Sequence, residues 1–304
     1  MYRPAHPSVS FRKRLKAFAR QLGRCAEGDV EALHGTRVAS RRLRELLPLL
    51  QLHDTSRPLS RRLRKVTKQL GSVRELDVLM LLLKELEQDG RYSPAALAQV
   101  GTAVARSRAD ARRQLAAKLP TGKLERLARR LERAAQNLES SDARDRRRSH
   151  GPARAWLWAL DARVTRRAAR ARSAIQAASA VYVPGHLHGV RVALKKLRYA
   201  AELSAEARRQ RTTADIAALK AAQDLLGRLH DWEVLLEHTR RVQASLSPPD
   251  LAAWRDLGSL VHVLEDDCRR LHALYVRDRS KLIAIVNRMQ SAKLHSAPAT
   301  RAAG

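Results

Sequence analysis

The side chains best placed for chemistry are one histidine and three arginines at helical spacing: His34, Arg37, Arg41 and Arg44. At about 100° per residue they fall within an arc of about 80°, so a helix carries them as a single column. Guanidiniums stacked in this way repel one another, and an anion seated among them relieves that cost. Arginine suits phosphate because its planar fork donates two parallel hydrogen bonds. A neutral imidazole donates one more, or gains a proton when phosphate raises its pKa. The same pattern returns 154 residues later as His188, Arg191, Lys195 and Arg198. Over the eleven positions counted from each histidine, seven are identical and two exchange Arg for Lys. Packing accounts for the retained leucines but not for the retained cations. A solvated basic face is the ordinary fate of a charge run; recurrence with the histidine kept favours an anion site.

A helix must position these groups. Ala39, Leu43, Leu46, Leu47 and Leu50 occupy a separate arc, so the same helix buries one side and presents the cations on another. Arg42 and Lys196 turn away from the column. A second repeated block, Leu70–Leu79 and Leu226–Leu235, lies at an offset of 156. Its glycines, Gly71 and Gly227, each follow one helical pattern and precede another, which predicts C-caps joining two helices. Glu75 and Asp231 then fall near the start of the next helix, where acids suit the macrodipole. Asp77 and Glu233 lie further in and are expected to pair with nearby cations. Arg64 and Lys220, each seven residues before its glycine, extend the cationic set. Arg12, Lys13 and Lys16 correspond to Arg166, Arg167 and Arg170, and a solvated surface suits that group at least as well.

Periodicity predicts helices over 11–25, 29–52, 58–70, 73–88, 94–119 and 123–138 in the first half. In the second half it predicts 153–180, 186–209, 212–226, 230–245 and 251–290. The polar stretch 141–152, ending in Gly151-Pro152, is the best linker between halves of about 8–140 and 153–290. The Ala/Ser/Pro-rich end, 291–304, is expected to be disordered.

Composition agrees with an all-α chain. Ala, Leu and Arg dominate its 304 residues, with only 13 Gly and 11 Pro. The formal charge of +30 arises from 60 Lys and Arg against 30 Asp and Glu. Such an excess disfavours a compact state unless polyanions offset it, so nucleic acid, polyphosphate and anionic membrane are the candidate partners. Cys25 and Cys268 read as small core residues with neither disulfide nor metal spacing. No secretory signal and no apolar run of membrane-spanning length is visible, which predicts a cytoplasmic protein. Aromatic residues make up only 4% of the chain and do not alternate with the basic stripe, so stacking platforms for single-stranded nucleic acid are missing. Trp156, Trp158, Trp232 and Trp254 are expected to anchor helix packing. Leu79, Leu82, Leu83 and Leu86 suit a buried core better than the surface of a storage granule. No phosphate-binding glycine loop, His-Glu-x-x-His string or metal cluster occurs, so neither catalysis nor a cofactor is expected.

At these residues the chain resembles the CHAD family, the conserved histidine α-helical domain. The resemblance rests on His34 to Arg44, on His188 through Tyr199 to Glu202, and on Gln223 to Asp231. Arg74-Glu75-Leu76-Asp77-Val78 matches a further motif, with Glu in place of the family's first Asp. The likeness spans residues 8–290. It implies one domain of two four-helix-bundle-like halves, related by pseudo-twofold symmetry about a basic central groove or pore. It also implies binding of inorganic polyphosphate and association with polyphosphate or other storage granules. Carried residue by residue, the ligand contacts are His34, Arg37, Arg41, Arg44, His188, Arg191, Lys195 and Arg198, with Arg64 and Lys220 second. Each column then forms one wall of a two-sided site that admits a thin phosphate chain and excludes a duplex. CHAD domains are often fused to a CYTH triphosphatase, whose Glu-x-Glu-x-Lys strand is not matched by Glu85-Leu86-Glu87. Sequence-nonspecific nucleic-acid binding is the alternative function, since a charge of +30 attracts any polyanion.

Overall fold

Helix-forming composition and well-placed caps give a chain with ten α-helices and no strand among the described residues of a computed structural model. Those residues are 5–50, 52, 55–148, 151–178, 180–210, 213–246 and 250–291. The helices are α1 (Pro7–Ala19), α2 (Leu22–Ala26), α3 (Val30–Leu46), α4 (Ser56–Asp89) and α5 (Pro94–Lys118). They continue as α6 (Thr121–Arg148), α7 (Gly151–Ala177), α8 (Pro184–Ala207), α9 (Ala214–Ala244) and α10 (Leu251–Ser291). Asp29 starts α3 by accepting a 2.6 Å bond from Ala32 N, and Ser93 starts α5 by accepting from Ala96 N, with Pro94 following. Gly90, at φ 70°, ends α4 in the left-handed region.

The chain forms two compact units, each drawn from both repeats. One contains Phe11–Ala143 with Arg228–Leu271. Its core is built by Phe11, Phe18, Leu43, Leu63, Leu70 and Leu97, joined by Leu235, Leu257 and Leu264. Tyr92 fastens the returning segment: its hydroxyl donates to Asp267 at 2.7 Å, and its ring lies 6.4 Å from that of Trp232. The other unit contains Arg144–Gly227 with the described parts of 1–10 and 272–304. Along α7 the buried stripe Leu160, Val164, Ala168, Ala171 and Ile175 follows helical spacing, and its small alanines let α8 approach closely. Arg208, at the C-cap of α8, grips Asp161 of α7 through two bonds of 2.7 and 2.8 Å, and Arg288 of α10 reaches Asp215 of α9 at 2.6 Å.

Several expectations change. The predicted pairs 58–70 with 73–88, and 212–226 with 230–245, are each one helix, α4 and α9. Gly71 and Gly227 are therefore not C-caps, and Glu75 and Asp231 lie mid-helix. In α4 the stripe Leu63, Val66, Leu70, Val73 and Leu76 stays buried across the glycine, so packing overrides the local stop signal. In the other direction, the segment expected as one helix over 11–25 divides into α1 and α2. Residues 141–148, expected within the linker, extend α6. Residues 149–150 and most of the expected disordered tail, 292–304, lie outside the described residues. Trp156 and Trp232 are buried, but Trp158 and Trp254 are 70% and 53% exposed and anchor no core. Cys25, Cys268, Leu79, Leu82, Leu83 and Leu86 are buried as expected.

Candidate anion-binding site

The first cationic column stands on α3 because the opposite face of that helix is committed to packing. Ala32, Leu33, Thr36, Ala39, Ser40, Leu43 and Leu46 are buried. Ser40 Oγ and Thr67 Oγ1 lie 2.9 Å apart, with the Arg37 and Leu63 carbonyls at 2.9 and 2.7 Å, so one hydroxyl donates to the carbonyl beside it and accepts from the other hydroxyl. This clasp fixes an antiparallel register between α3 and α4. Arg37 lies against Gly71, Ser40 meets Thr67, and Arg44 feels the charge of Arg64.

The surviving faces collect positive charge. His34 keeps an exposed edge, while Arg37, Arg41 and Arg44 are half-buried and Arg64 is exposed. Partial desolvation lowers the pKa of His34, and the charges of Arg74, Arg37 and Arg41 lower it further. Burial likewise lowers Arg44, reinforced by Arg64 and Arg41 and only partly opposed by Glu45. Arg44 and Arg64 make no ion pair or hydrogen bond among the described residues. Arg74, which the sequence places in a family motif but not in the cationic set, joins this group. The signal was present, because Arg64, Gly71 and Arg74 share one face of α4 at i, i+7 and i+10.

The second column stands on α8, in the other unit, with Leu187, Val190, Leu194 and Leu197 buried behind it. His188 and Lys220 are exposed, and Arg191 and Lys195 are half-buried. Arg191 lies against Gly227 as Arg37 does against Gly71. Arg198 differs from its counterpart Arg44. Its Nη1 donates to Glu202 at 2.7 Å, its Nε donates to Gln223 at 3.0 Å, and its guanidinium covers the Tyr199 ring at 5.0 Å. Gln223 stands where the first copy has Thr67, which is too short to reach along the helix.

Other expected participants are engaged elsewhere. Asp77 is buried and receives Arg108 at 2.6 Å and Arg112 at 3.4 Å, so it serves α5 and not the column. Arg12 is held by Glu139 and Glu132. Arg42 and Lys196 are exposed on other faces. Among the described residues, no three His, Cys, Asp or Glu side chains gather as a metal set. No described helix is long and apolar enough to cross a membrane.

Residues 9–240 match the family model of the CHAD domain. Among solved structures, the chain is similar to the CHAD domain from the plant Ricinus communis, at 22% identity and a TM-score of 0.61. That likeness covers 94% of this chain and 93% of the plant chain. It is also similar to PptA from Streptomyces chartreusis, at 17% identity and a TM-score of 0.58, covering 95% of this chain and 98% of that one. At these identities the likeness is one of fold. A search of curated proteins finds no match.

Proposed function

We infer, for a chain that belongs to the CHAD family, that it binds inorganic polyphosphate through the cationic columns of α3 and α8. Polyphosphate binding is a known property of that family. The observation that carries the reading is the gathering of His34, Arg37, Arg41 and Arg44 of α3 with Arg64 and Arg74 of α4, where Arg44 and Arg64 are bonded to no acid among the described residues. Burial lowers the pKa of His34 and Arg44, and the neighbouring arginines lower both further, in keeping with positive charge gathered on the first column. A phosphate chain relieves that repulsion and accepts forked hydrogen bonds from successive arginines, spaced about one helical turn or 5.4 Å apart. The role is binding without catalysis. Association with polyphosphate granules in the cytoplasm follows from a protein that holds the polymer without consuming it.

Nucleic acid is the competing ligand because a charge of +30 attracts any polyanion. Titration calorimetry with long-chain polyphosphate and with a DNA duplex of matched charge separates the two. Polyphosphate is expected to bind at least about tenfold more tightly, with affinity falling as salt rises. Equal affinity for both would reduce the columns to a general polyanion surface.

A further inference from the structure

Gly71 and Gly227 carry the signature of helix ends and yet lie inside α4 and α9. Neither has the positive φ that Gly28 and Gly90 adopt. A glycine in mid-helix weakens the helix relative to alanine, because its backbone loses more freedom on ordering. Backbone conformation therefore gives no reason for either residue. What sets them apart is the neighbour on which a side chain longer than a methyl group would encroach. A Cβ at Gly71 would stand 3.8 Å from Arg37 Nη2 and 3.9 Å from its Nε. A Cβ at Gly227 would stand 3.9 Å from Arg191 Nε. In both copies the neighbour is the same arginine of the repeated pattern, whereas Gly101, Gly185 and Gly189 face open space. Arg191 Nε is buried with no hydrogen-bond partner, so contact and not bonding holds its stem. Its Nη1 and Nη2 make no hydrogen bond among the described residues and remain available to a ligand.

We propose that Gly71 and Gly227 are positioning residues whose smallness lets Arg37 and Arg191 lie along the neighbouring helix. In the second copy Arg191 Nε rests beside the Gly227 backbone and its terminal nitrogens reach the phosphate chain, while in the first copy both Nη2 and Nε of Arg37 lie over Gly71. A methyl group at either position makes ordinary van der Waals contact and leaves the arginine in place. A longer side chain occupies the arginine's seat and turns it away. The inference rests on the polyphosphate reading above.

A double-mutant cycle on Gly227 and Arg191 tests it, using the full-length protein and long-chain polyphosphate. Arg191→Ala is expected to weaken binding about tenfold, the scale of a lost charge-assisted bond. Gly227→Leu should weaken it by a similar factor, and Gly227→Leu with Arg191→Ala should be no weaker than Arg191→Ala alone. Gly227→Ala should keep affinity within about twofold while raising Tm, since alanine favours helix. Gly101→Leu, with nothing beside it, should leave affinity unchanged. Nitrogen-15 NMR gives a readout independent of ligand: the Arg191 Nε–H should resist solvent exchange in wild type and Gly227→Ala, and lose that protection in Gly227→Leu. If Gly227→Leu does not fold, Gly227→Met carries the same cycle with a slimmer chain. Binding that is sensitive to Arg191→Ala but indifferent to Gly227→Leu or Gly227→Met overturns the positioning role alone. Binding indifferent to Arg191→Ala overturns the assignment of this column to polyphosphate, and the positioning role with it.

Discussion

Arg44 and Arg198 hold the same place in the repeat but have different surroundings. Arg44 is half-buried beside Arg64 and Arg41 with no acid bonded to it among the described residues. Arg198 is already satisfied by Glu202 and Gln223. Arg44→Ala should therefore weaken polyphosphate binding by about tenfold or more, with little change in Tm. Arg198→Ala should chiefly lower stability, by about 1 kcal/mol, as its bonds to Glu202 and Gln223 are lost. Paired affinity and melting measurements on the two variants show this division, and equal loss of affinity in both would contradict it. His34 gives a pH signature. Its pKa in the free protein lies below the ordinary value, and bound phosphate raises it, so binding takes up a proton. Affinity should then rise as pH falls through the raised value of the complex, and level off below the lowered value of the free protein. His34→Gln should flatten that slope when affinity is measured between about pH 5 and 8, a window set by the ordinary histidine pKa near 6.5; an unchanged slope would remove His34 from the site.

At the scale of elements, the helices that present the cations are held by contacts away from the columns. Asp77 is the firmest of these, with its side chain 1% exposed and both Arg108 and Arg112 bonded to it. Asp77→Ala should cost about 2 kcal/mol, less than a fully buried pair because both arginines are about one-third exposed. Chemical denaturation of the variant checks this, and a loss below about 0.5 kcal/mol would show that solvent already satisfies the arginines. The columns were legible in the sequence because a helix converts spacing directly into a face, as His34, Arg37 and Arg41 illustrate. The glycines were not. Gly71 followed by Glu75 imitates a helix stop and start, and only burial of Leu70 and Val73 on one continuous stripe shows that α4 runs on. Arg74 is legible as a motif residue but not as a member of the cationic set for the same reason: a break at Gly71 removes the face it shares with Arg64. Trp158 and Trp254 were misplaced because an aromatic type says nothing of which side of its helix faces the core.

At the scale of the whole molecule, duplication was legible but its packing was not. Two copies in sequence suggest two successive bundles, whereas Arg228–Leu271 joins the unit built mainly by the first copy. Long-range partners such as Tyr92 with Asp267 leave no periodic trace in sequence. The charge of +30 was plain from composition, and the fold concentrates part of it on the first column. The central claim is that these columns bind polyphosphate, as opposed to diffuse attraction by excess charge. The direct test is the affinity for long-chain polyphosphate of the folded double variant Arg37→Glu with Arg191→Glu, measured against wild type by calorimetry at fixed ionic strength. Reversal at two seats should weaken binding by about a hundredfold or more, because each removes a charge-assisted contact and adds repulsion. Diffuse attraction allows only the small loss expected from changing the net charge from +30 to +26, and an affinity within about twofold of wild type would contradict the account.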